Sequence, residues 1–305
     1  MVTGQQSSAR GAWGRHVGVR RVRNLCYGRR IGSAQTTGPR MSERSTAAFF
    51  DVWHTYRKVV AANYMHHMEI KTHIEQILRA QFVGRPFSFL DLGCGDAATL
   101  APLLASMAVQ RYKGVDLSET ALVLAAENLK CLSCPLDFSC SDVLAALAAD
   151  PRLYDVVYTS FALHHLSTEQ KAEFFRRVAQ RLEKDGLLLL TDIVREEDES
   201  LPVYLRRYCD WLRSDWGALN VEEKASACDH ILNNDRPETF SVLQALAQAG
   251  ELGDAVTVAR YGWHRVLCCR PRGEETSPDL AIDRTERAPQ VRDGRQAMNV
   301  TTPLG

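Results

Sequence analysis

Between residues 86 and 193 short apolar segments alternate with longer amphipathic ones, and this alternation constrains the fold more than any other feature of the sequence. Strands that alternate with helices form parallel sheets with right-handed crossovers, and continuous apolar runs suit strands buried on both faces. We therefore expect a doubly wound α/β fold. The predicted strands are Phe87–Leu92, Tyr112–Leu117, Leu136–Cys140, Asp155–Ser160 and Leu187–Ile193.

The alternation stops after Ile193. Residues 195–235 are polar and aromatic, and an insertion at this point of such a sheet lies over its cleft, so we predict a helical cap over the substrate. Two apolar runs around Gly262, Ala255–Tyr261 and Trp263–Cys269, favour a hairpin. The complete expectation is a mostly parallel, seven-stranded α/β sheet with a terminal antiparallel hairpin, an N-terminal helix and a helical cap insertion.

This fold is predicted to occupy one domain over residues 41–270, with a helical region at 46–84 and a core at 86–193. Residues 1–40 hold eight Arg but no Lys, Asp or Glu, a composition typical of disorder or of a mitochondrial targeting segment. Met41 opens a further alternative, that residues 1–40 are translated upstream sequence. The polar residues 271–305 are predicted to be a disordered tail.

Charge and cysteine content narrow the range of partners. Residues 1–40 hold eight of the 37 basic residues and none of the 37 acidic ones, so the remaining chain carries 29 basic and 37 acidic residues, a net charge of −8. This balance disfavours nucleic-acid binding, and no stretch reaches the roughly 20 apolar residues that span a bilayer.

Nine scattered Cys favour reduced thiols and a cytoplasmic protein, or a mitochondrial one if residues 1–40 are a transit peptide. Cys131 and Cys134 lack two further ligands, so no metal site is predicted.

A glycine-rich turn, Asp91-Leu92-Gly93-Cys94-Gly95, follows the first predicted strand. Gly93-x-Gly95-x-x-Ala98 also fits a dinucleotide fingerprint, and Asp116, 21 residues beyond Gly95, would hold a ribose in either case. Asp91 separates the two interpretations. A carboxylate at this position repels a pyrophosphate but attracts the ammonium and sulfonium groups of S-adenosylmethionine.

Further motifs follow in a recognisable order: Asp116, Ser141-Asp142, Tyr154-Asp155-Val-Val, Ala162-Leu-His-His-Leu166 and Asp185-Gly-Leu-Leu-Leu-Leu. Together with the turn, they resemble the class I S-adenosylmethionine-dependent methyltransferases of the small-molecule type. The resemblance implies that Asp91, Gly93 and Gly95, with Cys94 between them, line the methionine end of the cofactor. It places the ribose at Asp116 and Leu117 and the adenine at Asp142 and Val143. It also places the strand ending at Ser160 beside the one ending at Asp91, with the ligand cleft between them.

The expected function is therefore transfer of a methyl group from S-adenosylmethionine to a small-molecule acceptor by in-line displacement. No nucleic-acid or membrane partner is expected, and the oligomeric state is open. Two alternatives remain: an NAD(P)-dependent oxidoreductase of similar topology, and a non-catalytic methyltransferase-like interaction module. The Asn-Pro-Pro-Tyr signature of methylation on bases or glutamine is absent, because Tyr158-Thr-Ser-Phe161 stands in its place.

Two further sets of residues are functional candidates. His165 and His230 are candidate general bases, although the pair His164-His165 is equally a loop-fixing feature. A predicted helix over Thr46–Leu78 carries an aromatic stripe formed by Trp53, Tyr56, Val60, Tyr64 and His67. We expect this stripe to close over the methionine end of the cofactor, with ordinary core packing as the alternative.

Overall fold

A computed structural model describes residues 54–273 and a two-residue strand at 285–286, and its centre is a single mixed sheet. The strand order is β3-β2-β1-β4-β5-β7-β6-β8. Strands β1 to β5 pair in parallel, whereas β7 pairs antiparallel with β5 and with β6. The bounds are β1 Phe87–Leu92, β2 Val109–Asp116, β3 Leu136–Cys140, β4 Tyr154–Ser160, β5 Leu182–Ile193, β6 Val256–Tyr261, β7 His264–Cys269 and β8 Thr285–Glu286.

The predicted fold class is confirmed, including the switch point between β1 and β4 and the hairpin around Gly262, whose φ is +61°. β5 begins at Leu182, earlier than the predicted Leu187, and it pairs irregularly with β4. The register passes from Tyr154↔Leu182 to Val156↔Leu187, so the predicted Asp185-Gly186 turn is a bulge within the strand.

Helices connect the strands and cover both faces of the sheet. Their bounds are α1 54–61 within the described part of the chain, α2 His67–Gln81, α3 Ala101–Ala105, α4 Glu119–Asn128, α5 Val143–Ala149, α6 Thr168–Ala179, α7 Leu201–Asp215, α8 Val221–Asn234 and α9 Phe240–Ala249. N-terminal capping residues determine where several of these helices begin. The Ser118 and Asp142 side chains accept hydrogen bonds from the first turns of α4 and α5, and Ser167 and Gln170 form a capping box at the start of α6.

The single helix predicted over Thr46–Leu78 is wrong. Helical residues 54–61 are separated from α2 by a turn in which Asn63 and His66 have φ values of +56° and +57°. A left-handed residue cannot continue a right-handed helix. The Asn63 side chain stabilises the break, because its amide donates to Glu69 and its Oδ1 accepts from the Met68 backbone.

Successive residues of the central strands point to opposite faces, and each face has its own apolar core. Phe89 and Leu189 pack with Ile74 of α2 on one face, whereas Leu90 and Leu188 pack with α6 on the other. A third cluster lies around the α7–α8 insertion and includes Tyr208, Trp216 and Trp263, together with Val59 of α1. The insertion is therefore anchored both to the sheet and to α1.

The chain ends were predicted to lack regular structure. Residues 1–40 and Trp53 lie outside the described residues. Within 271–305, Thr285–Glu286 pairs in parallel with β6, so the prediction of a disordered tail does not hold at these two positions. No helix in the described part of the chain is long and apolar enough to cross a membrane.

Candidate functional site

A cavity of about 200 Å³ opens at the carboxyl ends of β1 and β4, where the topology of the sheet switches. The turn after β1 forms its floor, and helices α1 and α2 form one wall. Its lining residues are Tyr56, His67, Ile70, Lys71, Ile74, Asp91, Gly93, Cys94, Gly95, Asp96, Ala97, Ala98, Thr99, Leu100, Tyr158, Ser160 and Phe161.

The turn Gly93-Cys94-Gly95 exposes main-chain atoms to the cavity, because its glycines have no side chains. Gly93 has a φ of +74°, and a Cβ there would lie 2.8 Å from Cβ of Ala162, so only glycine fits. The turn is held to β2, because the amides of Gly93 and Cys94 both donate to the Val115 carbonyl, at 2.8 and 3.0 Å. Cys94 is 8% exposed, and burial raises the pKa of its thiol, which fits a space-filling role.

Asp91 places a buried carboxylate against the cavity. Its side chain is 1% exposed and accepts a hydrogen bond from the Tyr112 hydroxyl. Burial and the nearby Asp116 carboxylate together raise the pKa of Asp91 to about 7, despite the opposing effect of the Tyr112 hydrogen bond. A cation in the cavity would offset the cost of ionising this group.

Asp116 sits at the end of β2 and holds the turn in place. Its two carboxylate oxygens accept 2.9 Å hydrogen bonds from the backbone amides of Gly95 and Ser118. Each oxygen keeps a second lone pair for a ligand hydroxyl. The next residue, Leu117, is 75% exposed and offers an apolar surface beside it.

Asp142 and Val143 lie at the end of β3 and the start of α5. The Asp142 Oδ1 atom caps α5 by accepting from the amides of Leu144 and Ala145. Neither residue lines the cavity, and the same is true of Asp116 and Leu117. The cavity therefore lies at the glycine turn alone, and these four residues lie at the ends of the neighbouring strands.

Helix α2 supplies two polar side chains to the lining: His67, which belongs to the predicted aromatic stripe, and Lys71, which the sequence did not single out. Lys71 contributes a cation to the lining, and His67 contributes a buried imidazole between Tyr56 and Phe161, with ring centroids 6.2 and 5.2 Å away. Burial and the neighbouring His66 lower the pKa of His67 to about 4, so the ring is neutral near pH 7. Its Nε2 atom is buried without a hydrogen-bond partner among the described residues. The amphipathic pattern located the helix but did not show which face meets the turn.

Comparison with known proteins identifies the domain. Residues 89–186 match the family model described as a methyltransferase domain. An uncharacterized methyltransferase of Bacillus cytotoxicus is 27% identical over 153 residues, which cover 50% of this chain and 68% of that protein. The corresponding match to an uncharacterized methyltransferase of Bacillus anthracis is 26% identical over the same shares of both chains.

Residues 89–186 are a methyltransferase domain by their match to this family model.

Solved structures share the fold of this methyltransferase domain. An O-methyltransferase family protein from Burkholderia thailandensis aligns with a TM-score of 0.53 at 17% identity, covering 76% of this chain and 61% of that chain. An S-adenosylmethionine-dependent methyltransferase from Clostridium acetobutylicum aligns with a TM-score of 0.51 at 13% identity, covering 74% of this chain and 100% of that one. At these identities the likeness shows the fold alone.

Of the two tyrosines predicted to close over the methyltransferase cofactor, only Tyr56 lines the cavity. Tyr64 lies beyond the left-handed break and stacks on Trp216 at 5.0 Å, and its hydroxyl accepts a 2.7 Å hydrogen bond from the Ala218 amide. The two residues do not share a helix face, because the helix that would have aligned them ends before Tyr64. The placement of Tyr64 at the cofactor is therefore corrected: it packs against the α7–α8 insertion.

The two histidines predicted as general bases of the methyltransferase meet at Asp235, outside the cavity lining. His165 Nδ1 lies 3.4 Å and His230 Nε2 lies 3.9 Å from Oδ1 of Asp235. Both rings are partly exposed, at 40% and 59% of their side-chain surface, whereas Asp235 is buried. The structure brings them together at the junction of the β4–α6 loop with the end of α8.

Proposed function

We propose that this protein transfers the methyl group of S-adenosylmethionine to a small-molecule acceptor that enters beside the α7–α8 insertion. The observation that carries the proposal is the buried Asp91 carboxylate, which faces a cavity walled by the glycine turn and by α2. An anion there suits a cationic ligand and opposes a pyrophosphate, which disfavours the NAD(P)-dependent oxidoreductase. The cofactor supplies an activated methyl group on a positively charged sulfur.

Two charged side chains of the cavity would bind the methionine part of S-adenosylmethionine. Asp91 would accept from the α-ammonium group, and Lys71 lies on the same cavity wall as a partner for the α-carboxylate. Gly93 and Gly95 allow close approach of the ligand to backbone. Asp116 would accept from the ribose hydroxyls, and Leu117 with Asp142 and Val143 would flank the adenine.

Three rings would exclude water from the reacting end. Tyr56, His67 and Phe161 line the cavity together, and their faces and edges suit a sulfonium because aromatic rings attract cations. The His67 imidazole carries little positive charge near pH 7, so it does not oppose a cationic sulfur. Displacement at such a centre depends mainly on holding donor and acceptor in line, which is what a closed, rigid wall provides.

The acceptor would approach from the side of the α7–α8 insertion. Lys58 of α1 pairs with Glu223 of α8 at 2.7 Å, so the helix that carries Tyr56 is tied to the insertion. The structural neighbour from Burkholderia thailandensis is named as an O-methyltransferase family protein, so hydroxyl compounds belong among the acceptors to be tested. His165 and His230 stay predictions as general bases, and the proposed transfer does not depend on them.

The decisive experiment has two parts. Calorimetric titration with S-adenosylhomocysteine and with NADH tests the cofactor, and tight NADH binding without a response to S-adenosylhomocysteine would overturn the proposal. Transfer of label from methyl-tritiated S-adenosylmethionine to a panel of small hydroxyl, thiol and amine compounds tests the reaction. Cofactor binding without turnover on any class of acceptor would favour the non-catalytic interaction module.

A further inference from the structure

Three histidines and one aspartate converge where the loop after β4 meets the end of α8. Oδ1 of Asp235 lies 3.4 Å from Nδ1 of His165, 3.8 Å from Nε2 of His164 and 3.9 Å from Nε2 of His230. The ligand atoms of His164, His165 and Asp235 all lie within 4.8 Å of one another. None of these residues lines the cavity assigned to the cofactor.

The hydrogen bonds of His164 fix which of its nitrogens is free. Nδ1 lies 2.5 Å from Oδ1 of Asp192, and Oδ2 of the same carboxylate accepts from the His164 backbone amide. A carboxylate accepts hydrogen bonds, so Nδ1 carries the hydrogen and donates it. Nε2 is then the nitrogen that faces Asp235, and a metal ion can bind there in place of a proton. A histidine whose other nitrogen is held by a buried carboxylate is the arrangement that orients imidazole ligands of metal ions.

Asp235 lacks a partner for the oxygen that faces the histidines. The residue is 2% exposed, and its Oδ1 atom is buried without a hydrogen-bond partner among the residues that the structure describes. A buried acceptor without a hydrogen-bond partner is costly. A cation between Oδ1 of Asp235 and Nε2 of His164 would remove this penalty.

The spacing of these atoms suits a metal ion. Zinc bonds of about 2.0–2.1 Å in a tetrahedral site put neighbouring ligand atoms about 3.3 Å apart. The His165–Asp235 separation of 3.4 Å meets this value, and the His164–Asp235 separation of 3.8 Å needs only a small closure. The backbone is already fixed, because the Arg236 amide donates a 2.7 Å hydrogen bond to the His164 carbonyl and Lys171 Nζ donates to the Arg236 carbonyl.

We propose that Nε2 of His164, Nδ1 of His165 and Oδ1 of Asp235 bind one divalent transition-metal ion, and that this ion joins the β4–α6 loop to the end of α8. Two imidazoles and one carboxylate form a donor set that suits zinc. Three protein ligands leave the fourth tetrahedral position to water. Asp192 is a positioning residue that orients His164. The proposal is independent of the proposed methyl transfer, and it replaces the role of His165 Nδ1 in proton transfer.

The test uses the untagged full chain after dialysis against a chelator. Titration with zinc in competition with a chromophoric chelator should show one ion bound with submicromolar affinity, and the melting temperature should rise with zinc. His165→Gln and Asp235→Asn should each weaken binding by about a hundredfold or more, and Asp192→Asn by about tenfold to a hundredfold. Asp235→Asn keeps the size of a buried residue, and His165→Gln alters a partly exposed one, so at least one of these variants should remain folded.

The matched control is the Cys131→Ser, Cys134→Ser double variant, because these two free thiols are zinc-binding groups outside the proposed site. Its zinc affinity should equal that of the unaltered chain. The proposal is overturned if micromolar zinc does not bind, if binding survives both ligand substitutions, or if the cysteine variant abolishes it. A melting temperature that is unchanged by bound zinc would also contradict the proposed link between the loop and α8.

Discussion

The hydroxyl of Tyr112 donates a 2.7 Å hydrogen bond to Oδ2 of Asp91, and both side chains are buried beneath the cavity. Tyr112 lies on β2 and Asp91 at the end of β1, so two neighbouring strands create the pair. Burial raises the pKa of Asp91 to about 7, which places its ionisation close to neutral pH in the ligand-free protein. Cofactor binding, folding stability and pH are consequently linked through one carboxyl group.

The first prediction concerns affinity and pH. If the ionised form of Asp91 binds the α-ammonium of the cofactor, the affinity for S-adenosylhomocysteine should fall as the pH drops through about 7. The loss should approach tenfold per pH unit, because the proton on Asp91 must then be released on binding. Calorimetry over a series of pH values measures this dependence. In Asp91→Asn the dependence should be absent, and an equally steep profile in that variant would assign it to another group.

The second prediction concerns the stability of the ligand-free protein. The folded pKa of Asp91 is raised from 3.8 to about 7, so its contribution to stability is fully present below about pH 4 and is lost as the pH rises through 7. Asp91→Asn should therefore raise the free energy of unfolding at pH 8, by at most about 4 kcal/mol, and change it little near pH 4. Chemical denaturation at the two pH values measures the difference. A variant that is less stable at pH 8 would contradict the predicted sign.

The third prediction concerns Asp116. Asp116→Ala should weaken cofactor binding by roughly tenfold to a hundredfold, because hydrogen bonds to a charged group contribute about 1.5–3 kcal/mol. The same substitution removes the acceptor that holds the amides of Gly95 and Ser118, so the melting temperature should also fall. An S-adenosylhomocysteine analogue without the ribose hydroxyls separates the two effects. The unaltered protein should bind this analogue more weakly than it binds S-adenosylhomocysteine, whereas Asp116→Ala should bind the two compounds with equal affinity. If Asp116→Ala also binds the analogue more weakly than S-adenosylhomocysteine, the ribose lies elsewhere.

The fourth prediction separates the two tyrosines. Tyr56→Phe should weaken cofactor binding at a nearly unchanged melting temperature of the free protein, because Tyr56 lines the cavity and is 38% exposed. Tyr64→Phe serves as its matched control. It should lower the free energy of unfolding by about 0.5–1.5 kcal/mol through the lost hydrogen bond to Ala218, with cofactor affinity intact. The opposite pattern would show that Tyr64 rather than Tyr56 closes the cavity.

The order of strands and helices was predictable because most of these elements are specified by residues within or next to them. Phe87–Leu92 and Leu136–Cys140 were placed at their observed bounds because both are short runs limited by turn residues. The start of β5 was not predictable, because Glu183–Gly186 reads as a turn and only pairing with Tyr154 of β4 draws Leu182 into the sheet. The break at Asn63 and His66 was also missed, because neither residue is a glycine or a proline.

The candidate site divides in the same way. The glycine turn and its carboxylate were recognisable because their residue types and spacing carry the chemistry. Lys71 was missed, because its position depends on how α2 rotates against the sheet, which is decided by packing of Ile70 and Ile74, whereas His67 was already part of the predicted aromatic stripe. The sequence did not indicate a role for Asp235, because no local motif distinguishes this residue. Only the tertiary fold brings Asp235 close to His164, which is distant in the sequence.

The α7–α8 insertion leaves and rejoins the sheet at one narrow neck. Arg195 and Thr239 form a parallel bridge there, and the Arg195 amide donates a 2.9 Å hydrogen bond to the Glu238 carbonyl. The strands that flank the insertion keep their register without it, since β5 pairs directly with β7. A helical segment of different sequence could therefore be exchanged at this neck while β1, β4 and the glycine turn keep their positions, but the helix that carries Tyr56 would lose its ion pair with Glu223. Under the proposed function, a change in the insertion would thus alter the acceptor side and the Tyr56 wall of the cavity together.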